Sequence, residues 1–448
     1  MTSQTMTSKI SSMLSMQTSA SPRADELLAG ADAIGARLCR DAIWAGDRCN
    51  WLSPAMEPDG GMWRIVHKTL GPDLYNGTAG IALFLARLAQ VTDDRLQKMT
   101  AVGAMRHALA QRTAFHPAAR ISFYSGWSGL AYAALATGAV LNEPIFLDEG
   151  YFLAESLANL TLAEPGLDVL GGVAGAIPFL VLAADRFPDA GLDDLAQRCG
   201  EVLLETARRT PAGWSWNTMG TPAAHHRRDL LGFSHGAGGI AWALAELGQF
   251  SDDGRFGEAA QQALAYERRW YDAESKNWPD FRALNEPKAT PNTQPGHMVA
   301  WCHGAPGIAL SRLRLWELTG DPTCRQEATT ALETTLAVTQ GMTGSPGTNM
   351  SLCHGQSGNA EVLLYGADVL NKPCYRTAAL GIAAAALEQY HKTFAPYPSG
   401  VMSAGETPGL FLGIAGTGYF FLRVRDSQNT PPILIVNASN LEKNRNHQ

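Results

Sequence analysis

Two short stretches of the sequence each place a cysteine directly before a histidine and a glycine. Residues 301–304 read WCHG and residues 352–355 read LCHG. Thiolate and imidazole are the soft and borderline ligands that favour Zn²⁺ in proteins. Cys302, Cys353 and His354 would supply three such ligands. Three protein ligands leave the fourth tetrahedral position open, which is typical of a catalytic zinc site.

The spacing of the two cysteines fits a second interpretation as well. The separation of Cys302 from Cys353 is far longer than the C-x-x-C spacing of a zinc ribbon. An isolated cysteine is also commonly a small buried apolar residue. All three candidate ligands, however, lie at equivalent points of a sequence repeat, and this equivalence favours a metal. From the residues alone, a zinc site and a pair of buried thiols both stay open.

Three further polar residues lie near similar glycine motifs. His235 precedes a glycine pair in GFSHGAGG, and Asp168 lies four residues before one in LDVLGGVAG. A histidine in such a loop is commonly a hydrogen-bonded structural residue, but beside a metal it becomes a candidate proton donor. His303 fits three roles: a fourth ligand, a hydrogen-bond donor behind a ligand, or a proton donor.

The glycine motif itself recurs seven times, which predicts a repeat protein. The copies are GTAG (77–80), GWSG (126–129), GVAG (172–175), GAGG (236–239), GAPG (304–307), GQSG (355–358) and GIAG (413–416). An apolar helical stretch follows each copy, and an amphipathic helical segment precedes each one. The amphipathic segments cover residues 26–43, 94–113, 148–163, 192–209, 254–274, 323–340 and 373–393. The repeating unit is therefore a pair of helices.

The contrast between the two kinds of segment predicts an all-α fold with two layers. Helices that are apolar all round suit an inner ring, and amphipathic helices suit an outer ring. Helix pairs can stack into an open solenoid or close into an α/α toroid. The irregular spacing and the fully apolar last copy favour a toroid of seven outer and seven inner helices, with Gly-rich loops at the inner-helix starts. Glycine there allows sharp turns and close approach, so that the seven loops can meet at one end.

The repeats account for residues 26–436, with 1–25 expected to be a disordered leader and 437–448 a disordered tail. The net charge is −7, and no lysine or arginine run is present, which argues against nucleic acid as a partner. Seven sparse cysteines are typical of a reducing compartment, so we expect a cytoplasmic protein. No apolar run approaches the roughly 20 residues of a transmembrane helix.

Several motifs together resemble the lanthionine synthetase C-like family, the cyclases of lanthipeptide biosynthesis. These are WCHGAPGI, SLCHGQSGN, GFSHGAGGIA, DVLGGVAGAI and PGLFLGIAGTGYFFLRV, in the family order. The resemblance implies one zinc per chain, held by Cys302, Cys353 and His354. It implies addition of a peptide cysteine thiol to dehydroalanine or dehydrobutyrine, which forms a thioether ring. His235, oriented by Asp168, is our first choice for the acid that protonates the resulting enolate.

The chain also departs from the stand-alone cyclases of that family, which usually carry tyrosine and arginine where this sequence has His303 and Met298. The histidine is similar to the cyclase half of the class II synthetases, as are CNWL at 49–52 and LYNGTAG at 74–80. His303 could therefore take over part of the enolate-stabilising role. The sequence carries no nucleotide-binding motif for dehydration, so the expected partners are a dehydrated precursor peptide of leader plus core, a separate dehydratase and an exporter.

Three other functions stay open at this stage. A LanC-like enzyme could add glutathione to dehydroamino acids with the same zinc. A non-catalytic scaffold could hold a modifying complex together. An α/α-barrel glycosidase would require a pair of carboxylates at the barrel end, where Asp168 is the carboxylate that the signature loops offer.

Overall fold

The computed structural model describes residues 22–59, 62–222, 225–286, 288–345, 347–401 and 405–436. Of the predicted leader, residues 1–21 lie outside the described residues, and the first helix begins at Ala24. The predicted tail, 437–448, also lies outside them. None of the helices in these segments combines the length and the apolarity that crossing a bilayer requires.

The described segments contain fourteen α-helices that alternate between two rings. The outer helices are α1 (Ala24–Asp41), α3 (Arg95–Ala110), α5 (Pro144–Ala158), α7 (Leu192–Thr206), α9 (Gly254–Arg268), α11 (Pro322–Met342) and α13 (Pro373–Ala386). The inner helices are α2 (Thr78–Thr92), α4 (Trp127–Leu141), α6 (Val173–Arg186), α8 (Ala237–Ser251), α10 (Ala305–Thr319), α12 (Gln356–Leu370) and α14 (Ile414–Arg425). All seven predicted pairs are therefore present.

The inner and outer helices differ in burial, as the sequence patterns predicted. The inner helix α2 is buried on every face over most of its length. The outer helix α9 buries Phe256, Ala259, Ala263 and Glu267, which recur at helical spacing along one face. The outer helices therefore cover the inner ring on one side and face solvent on the other.

Contacts between the first and the last helices close the ring. Each inner helix contacts the next one, and α14 contacts α2. Each outer helix packs against the inner helix that precedes it in the chain, while α1 packs against α14. The sequence had suggested that an outer helix belongs with the glycine motif that follows it. The closed arrangement confirms the α/α toroid over the open solenoid.

The glycine motifs permit a contact that no other residue would allow. At the second glycine of each motif, an added Cβ would lie 1.6–2.4 Å from the carbonyl oxygen of the residue six positions earlier. The seven glycines are Gly80, Gly129, Gly175, Gly239, Gly307, Gly358 and Gly416. Each inner helix therefore begins directly against the backbone of its own entry loop.

We call the residue two positions before each glycine motif the ring position. The seven ring positions are Tyr75, Tyr124, Leu170, Ser234, Cys302, Cys353 and Phe411. The backbone N–H of six of them donates to the backbone carbonyl of the next ring position, over 2.7–3.4 Å. At the remaining step, Ser125 Oγ donates to Leu170 O over 3.2 Å. The loops therefore form a closed circle of hydrogen bonds at one end of the toroid.

The interior below this circle is filled by aromatic rings and by the end of the described chain. Trp301 and Phe411 have ring centroids 5.0 Å apart. Trp301 Nε1 and the Tyr124 hydroxyl each donate to Leu434 O over 3.0 Å, and residues 433–436 are buried. The toroid is a packed core at this level rather than an open channel.

The described residues form four two-stranded antiparallel sheets that were not predicted from the sequence. They pair β1 (Ile43–Ala45) with β2 (Arg48–Asn50), β3 (Leu52–Asp59) with β4 (Met62–Thr69), β5 (Arg208–Thr210) with β6 (Gly213–Ser215), and β7 (Pro279–Asp280) with β8 (Gly296–His297). All four lie in connections between helices. The last pair ends three residues before the WCHG stretch.

Candidate metal centre

The structure brings the three predicted ligands together. One ligand atom each of Cys302, Cys353 and His354 lie within 4.8 Å of one another. The two cysteines occupy neighbouring ring positions, and the Cys302 N–H donates to Cys353 O over 3.4 Å. Both thiols are buried, and His354 is half-buried. The circle of loop hydrogen bonds therefore places two sulfurs and an imidazole at one point.

His354 is held in an orientation that suits a ligand. Its Nε2 lies 2.9 Å from Gly400 O, and because a carbonyl only accepts, Nε2 must carry the hydrogen. Nδ1 then keeps its lone pair free for a metal. Burial lowers the pKa of His354, which favours the neutral imidazole that metal binding needs.

The two thiols share a hydrogen bond rather than a covalent bond. Both cysteines are free, and their mutual hydrogen bond lowers the pKa of Cys302 and, with burial, raises that of Cys353. A divalent cation would bind both sulfurs as thiolates, since cysteine coordinates metal in the deprotonated form. Two thiols and one imidazole are a donor set that fits Zn²⁺.

His235 and Asp168 form a hydrogen-bonded pair in the same group of loops. His235 Nδ1 lies 2.5 Å from Asp168 Oδ2, and the Gly171 N–H donates to Asp168 Oδ1 over 2.7 Å. Burial lowers the pKa of His235, but the bond to Asp168 outweighs burial, so the pKa is raised overall. His235 therefore favours the imidazolium form, which can donate a proton from Nε2.

A buried ion pair supports the loop that carries His235. Glu267 on α9 accepts from the Gly232 N–H over 2.7 Å and pairs with Arg312 on α10 at 2.9 Å. Both side chains of this pair are fully buried. The outer helix therefore anchors the start of the loop, with the guanidinium compensating the buried carboxylate.

His303 lies beside His235 but has different surroundings. The two rings are 5.6 Å apart between centroids. Burial lowers the pKa of His303 to about 3, although the nearby Asp280 carboxylate and a bond to the Leu231 carbonyl raise it, so the ring is neutral at physiological pH. Its buried Nε2 has no hydrogen-bond partner in the described part of the chain. His303 is not in the group of three ligand atoms.

The structure also adds Arg282, which the sequence did not single out. Its guanidinium Nη2 lies 2.7 Å from Met298 Sδ, and it pairs with Asp280 at 2.6 Å. Arg282 comes from a loop without a glycine motif, so no sequence signal marked it.

Asp73 is a second residue that was missed, although a signal existed. It lies four residues before its glycine motif, as Asp168 does, and accepts from the Asn76 N–H over 2.7 Å. Ser122 and Ser351 cap the corresponding N–H groups in their own loops. Asp168 is therefore not the only carboxylate in the signature loops, contrary to the prediction from the sequence, because Asp73 has the same position.

The closed toroid, with two thiols and an imidazole gathered at its loop end, has the fold expected of the LanC-like family. A family model described as "Lanthionine synthetase C-like protein" matches residues 68–435, and the chain belongs to this family. Among solved structures, it is similar to one titled "Nisin cyclase", with a TM-score of 0.61 and 18% identity over 81% of this chain and 91% of that one. At this identity the likeness shows the fold.

Two other solved structures are less similar. A GH76 alpha-mannanase from Bacteroides thetaiotaomicron has a TM-score of 0.45 and 10% identity, over 93% of this chain and 96% of that one. A GH76A alpha-1,6-mannanase from Salegentibacter has a TM-score of 0.44 and 12% identity, over 78% and 99%. No argument about function rests on these two.

Proposed function

We propose that the protein is a zinc-dependent lanthipeptide cyclase of the cytoplasm. Its substrate would be a dehydrated precursor peptide, whose cysteine thiols are added to dehydroalanine or dehydrobutyrine. The observation that carries this proposal is the meeting of Cys302, Cys353 and His354 in loops adjacent to the His235–Asp168 pair. The free state of all seven cysteines supports a reducing compartment.

Zinc held by Cys302, Cys353 and His354 would act as a Lewis acid and lower the pKa of the peptide thiol. The peptide sulfur would lie beside the buried side chains of Cys302 and Cys353, where little water competes for the zinc. A new C–S bond forms at the β-carbon of the dehydroamino acid. The π electrons of the double bond move onto the α-carbon and its carbonyl, which gives an enolate.

The His235 imidazolium would complete the addition by giving its Nε2 proton to the α-carbon. Asp168 accepts from Nδ1, which fixes the tautomer and stabilises the charged ring before transfer. The thiol proton leaves to solvent and His235 regains a proton from it, so the net change is addition of S–H across C=C. We assign His303 the role of a neutral hydrogen-bond acceptor for the substrate, because its Nε2 is unpaired.

The test is a count of free thiols. A Ser/Thr/Cys-rich precursor encoded beside the gene is dehydrated in advance, incubated with the protein without nucleotide, and alkylated before mass spectrometry, because ring closure adds no mass. Alkylatable cysteines should disappear with the wild-type protein and persist with Cys353→Ala. A parallel reaction with glutathione separates the two thiol sources. Peptide thiols that persist with zinc-loaded wild-type protein would contradict the proposal.

A further inference from the structure

Two exposed arginines lie beside the loop that carries His235. Arg228 lies seven residues before His235 in the chain, and Arg269 directly follows the last residue of α9. Both side chains are exposed. The same end of α9 carries Glu267, which accepts from the Gly232 N–H in the His235 loop over 2.7 Å. The end of this helix therefore anchors the loop and also carries one of the two cations.

The two guanidinium groups lie over the same indole ring. The centroid of the Trp270 ring is 4.1 Å from Arg228 Cζ and 5.3 Å from Arg269 Cζ. The Phe281 ring packs edge to face against Trp270 at 5.2 Å between centroids. Contact with an aromatic face restricts a guanidinium and leaves its N–H edge open to a ligand. We call Arg228, Arg269 and Trp270 the arginine surface.

The backbone beneath the arginine surface is tied to its neighbours. Asn285 Oδ1 accepts from the Arg228 N–H over 3.2 Å, and Asn285 Nδ2 donates to Arg228 O over 2.7 Å. The Tyr266 hydroxyl donates to Asp229 O over 2.9 Å. Arg228 is therefore held in place through its main chain, and its side-chain donors are not needed for this.

The carboxylate next to Arg228 in the chain does not neutralise it. Asp229 is buried and pairs instead with Arg208 at 3.4 Å and with His226 at 3.0 Å. Within the part of the chain that the structure describes, no carboxylate pairs with Arg228 or Arg269. A protein with a net charge of −7 therefore carries a local cationic surface whose hydrogen-bond donors are open to a partner.

The arginine surface lies within reach of a short peptide from the proposed proton donor. An extended chain spans at most about 3.6 Å per residue, so the Cα atoms of Arg228 and His235 are at most about 25 Å apart. About eight extended peptide residues would cover this distance. A peptide that reacts beside His235 can therefore contact the arginine surface at the same time.

We propose that the arginine surface binds an acidic stretch of the peptide substrate. This inference rests on the proposed function and adds where the peptide is held away from its reacting atoms. A carboxylate accepts charge-assisted hydrogen bonds from a guanidinium, commonly two in parallel. A nucleic acid would require a longer basic track along its phosphates, whereas two guanidinium groups on one indole suit a few carboxylates.

Arg325 provides a matched control, because it is also exposed and lies over a tryptophan, with its Cζ 5.7 Å from the Trp316 centroid. It lies in the first turn of α11, which begins at Pro322. Helix α10 starts at the loop end of the toroid and ends at Thr319, so Arg325 lies at the opposite end. Arg325→Gln therefore removes a similar cation away from the metal centre.

The first experiment compares the double variant Arg228→Gln/Arg269→Gln with Arg325→Gln at equal zinc content. The probe is the fluorescein-labelled, dehydrated precursor encoded beside the gene, and anisotropy measures its Kd without turnover. The double variant should bind about 5–30-fold more weakly, because exposed ion pairs contribute modestly. Its KM should rise by a similar factor with kcat unchanged, since these contacts do not differ in the transition state. Unchanged Kd in the double variant, or an equal loss in Arg325→Gln, would overturn the proposal.

The second experiment changes the peptide and leaves the protein as it is. A precursor whose Asp and Glu residues are replaced by Asn and Gln should bind the wild-type protein more weakly by the same factor. It should bind the double variant as the unchanged precursor does, because the same contacts are already lost. Additive losses would show that the carboxylates bind elsewhere. Tighter binding of a short DNA duplex than of the precursor would assign the surface to nucleic acid and overturn the proposal as well.

The two experiments also separate this inference from the proposed function. Wild-type protein that binds the precursor through the arginine surface but leaves its thiols unconsumed would reject the cyclase activity and keep the docking surface. Wild-type protein that consumes the thiols with a Kd independent of the two arginines would keep the activity and reject the docking surface.

Discussion

The loops of the fifth and sixth repeats and those of the second and seventh share a backbone position but differ in chemistry. Cys302 and Cys353 occupy ring positions in the first pair of loops, while Tyr124 and Phe411 occupy ring positions in the second. The two sulfurs meet in a group of ligands, whereas the two aromatic rings pack edge to face at 5.0 Å. The circle of hydrogen bonds fixes where each side chain leaves the backbone. The residue type then determines whether that side chain is a potential metal ligand or packs in the core.

The three histidines directly before a glycine motif extend the comparison. His235 pairs with Asp168, His303 with the Leu231 carbonyl and His354 with Gly400 O. The carboxylate raises the pKa of His235, whereas burial lowers the pKa of His303 to about 3 and also lowers that of His354. In the proposed mechanism, one sequence position would therefore supply a proton donor, a hydrogen-bond acceptor and a metal ligand, according to its partner.

Substitutions at the ring position are the strongest test of the difference between these loops. Cys302→Ala and Cys353→Ala should lose the single zinc and all cyclisation, because two remaining ligands hold the ion poorly. Phe411→Leu should keep its zinc, since only packing changes. Elemental analysis of purified protein measures both. Two zinc ions per wild-type chain, or full retention in both cysteine variants, would refute the three-ligand site.

Substitutions of His354 and His235 should also differ in their effect on zinc content. His354→Asn should lose zinc, whereas His235→Asn should keep it and lose about 10²–10⁴-fold in kcat, as expected for a missing general acid. Metal content and single-turnover kinetics on the same preparations distinguish the two effects. Loss of zinc from His235→Asn would make His235 a ligand and contradict its assignment as a proton donor.

The Asp168–His235 pair predicts a change in pH dependence. Asp168 raises the pKa of His235, so the imidazolium persists to higher pH than it would alone, and activity should fall as the pH rises through that pKa. Asp168→Asn should lower the pKa of His235 and move the alkaline limb of the kcat profile to lower pH. An unmoved limb in this variant would mean that another group is the acid.

Two glycines on different helices should give the smallest effects, of opposite sign. At Gly358 a Cβ would lie 1.9 Å from Leu352 O, whereas at Gly381 in α13 nothing lies within 4 Å. Gly358→Ala should cost about 1–3 kcal/mol of unfolding free energy through a forced backbone shift. Gly381→Ala should add about 0.5–1 kcal/mol, because alanine loses less entropy in a helix. Chemical denaturation measures both.

Local signals in the sequence predicted the helices, and they predicted that Cys302, Cys353 and His354 lie together. Each glycine motif marked an inner helix because the close contact with a carbonyl oxygen requires glycine at that place. Cys302, Cys353 and His354 could be predicted to meet because they share motif positions. Asp73 could have been found by the same reasoning, since its offset equals that of Asp168.

Other features depended on contacts that no motif encodes. Arg282 contacts Met298 through the pairing of β7 with β8, two-residue strands in a loop without periodicity. The sequence also did not predict which inner helix each outer helix packs against. An amphipathic face packs equally well on the inner helix before it or on the one after it in the chain. Only the closed ring decides this, through the contact between α1 and α14.

That contact has a consequence for the order in which the protein is made. Helix α1 ends at Asp41 and its partner α14 begins at Ile414. At about 5–20 residues per second of synthesis, α1 would leave the ribosome about 20–75 seconds before its partner is translated. During this interval α14 is not yet present to pack against the apolar face of α1, so chaperones can bind to that face. Ribosome-bound chains arrested before Ile414 should therefore be cleaved by protease within α1, and chains released after α14 should resist.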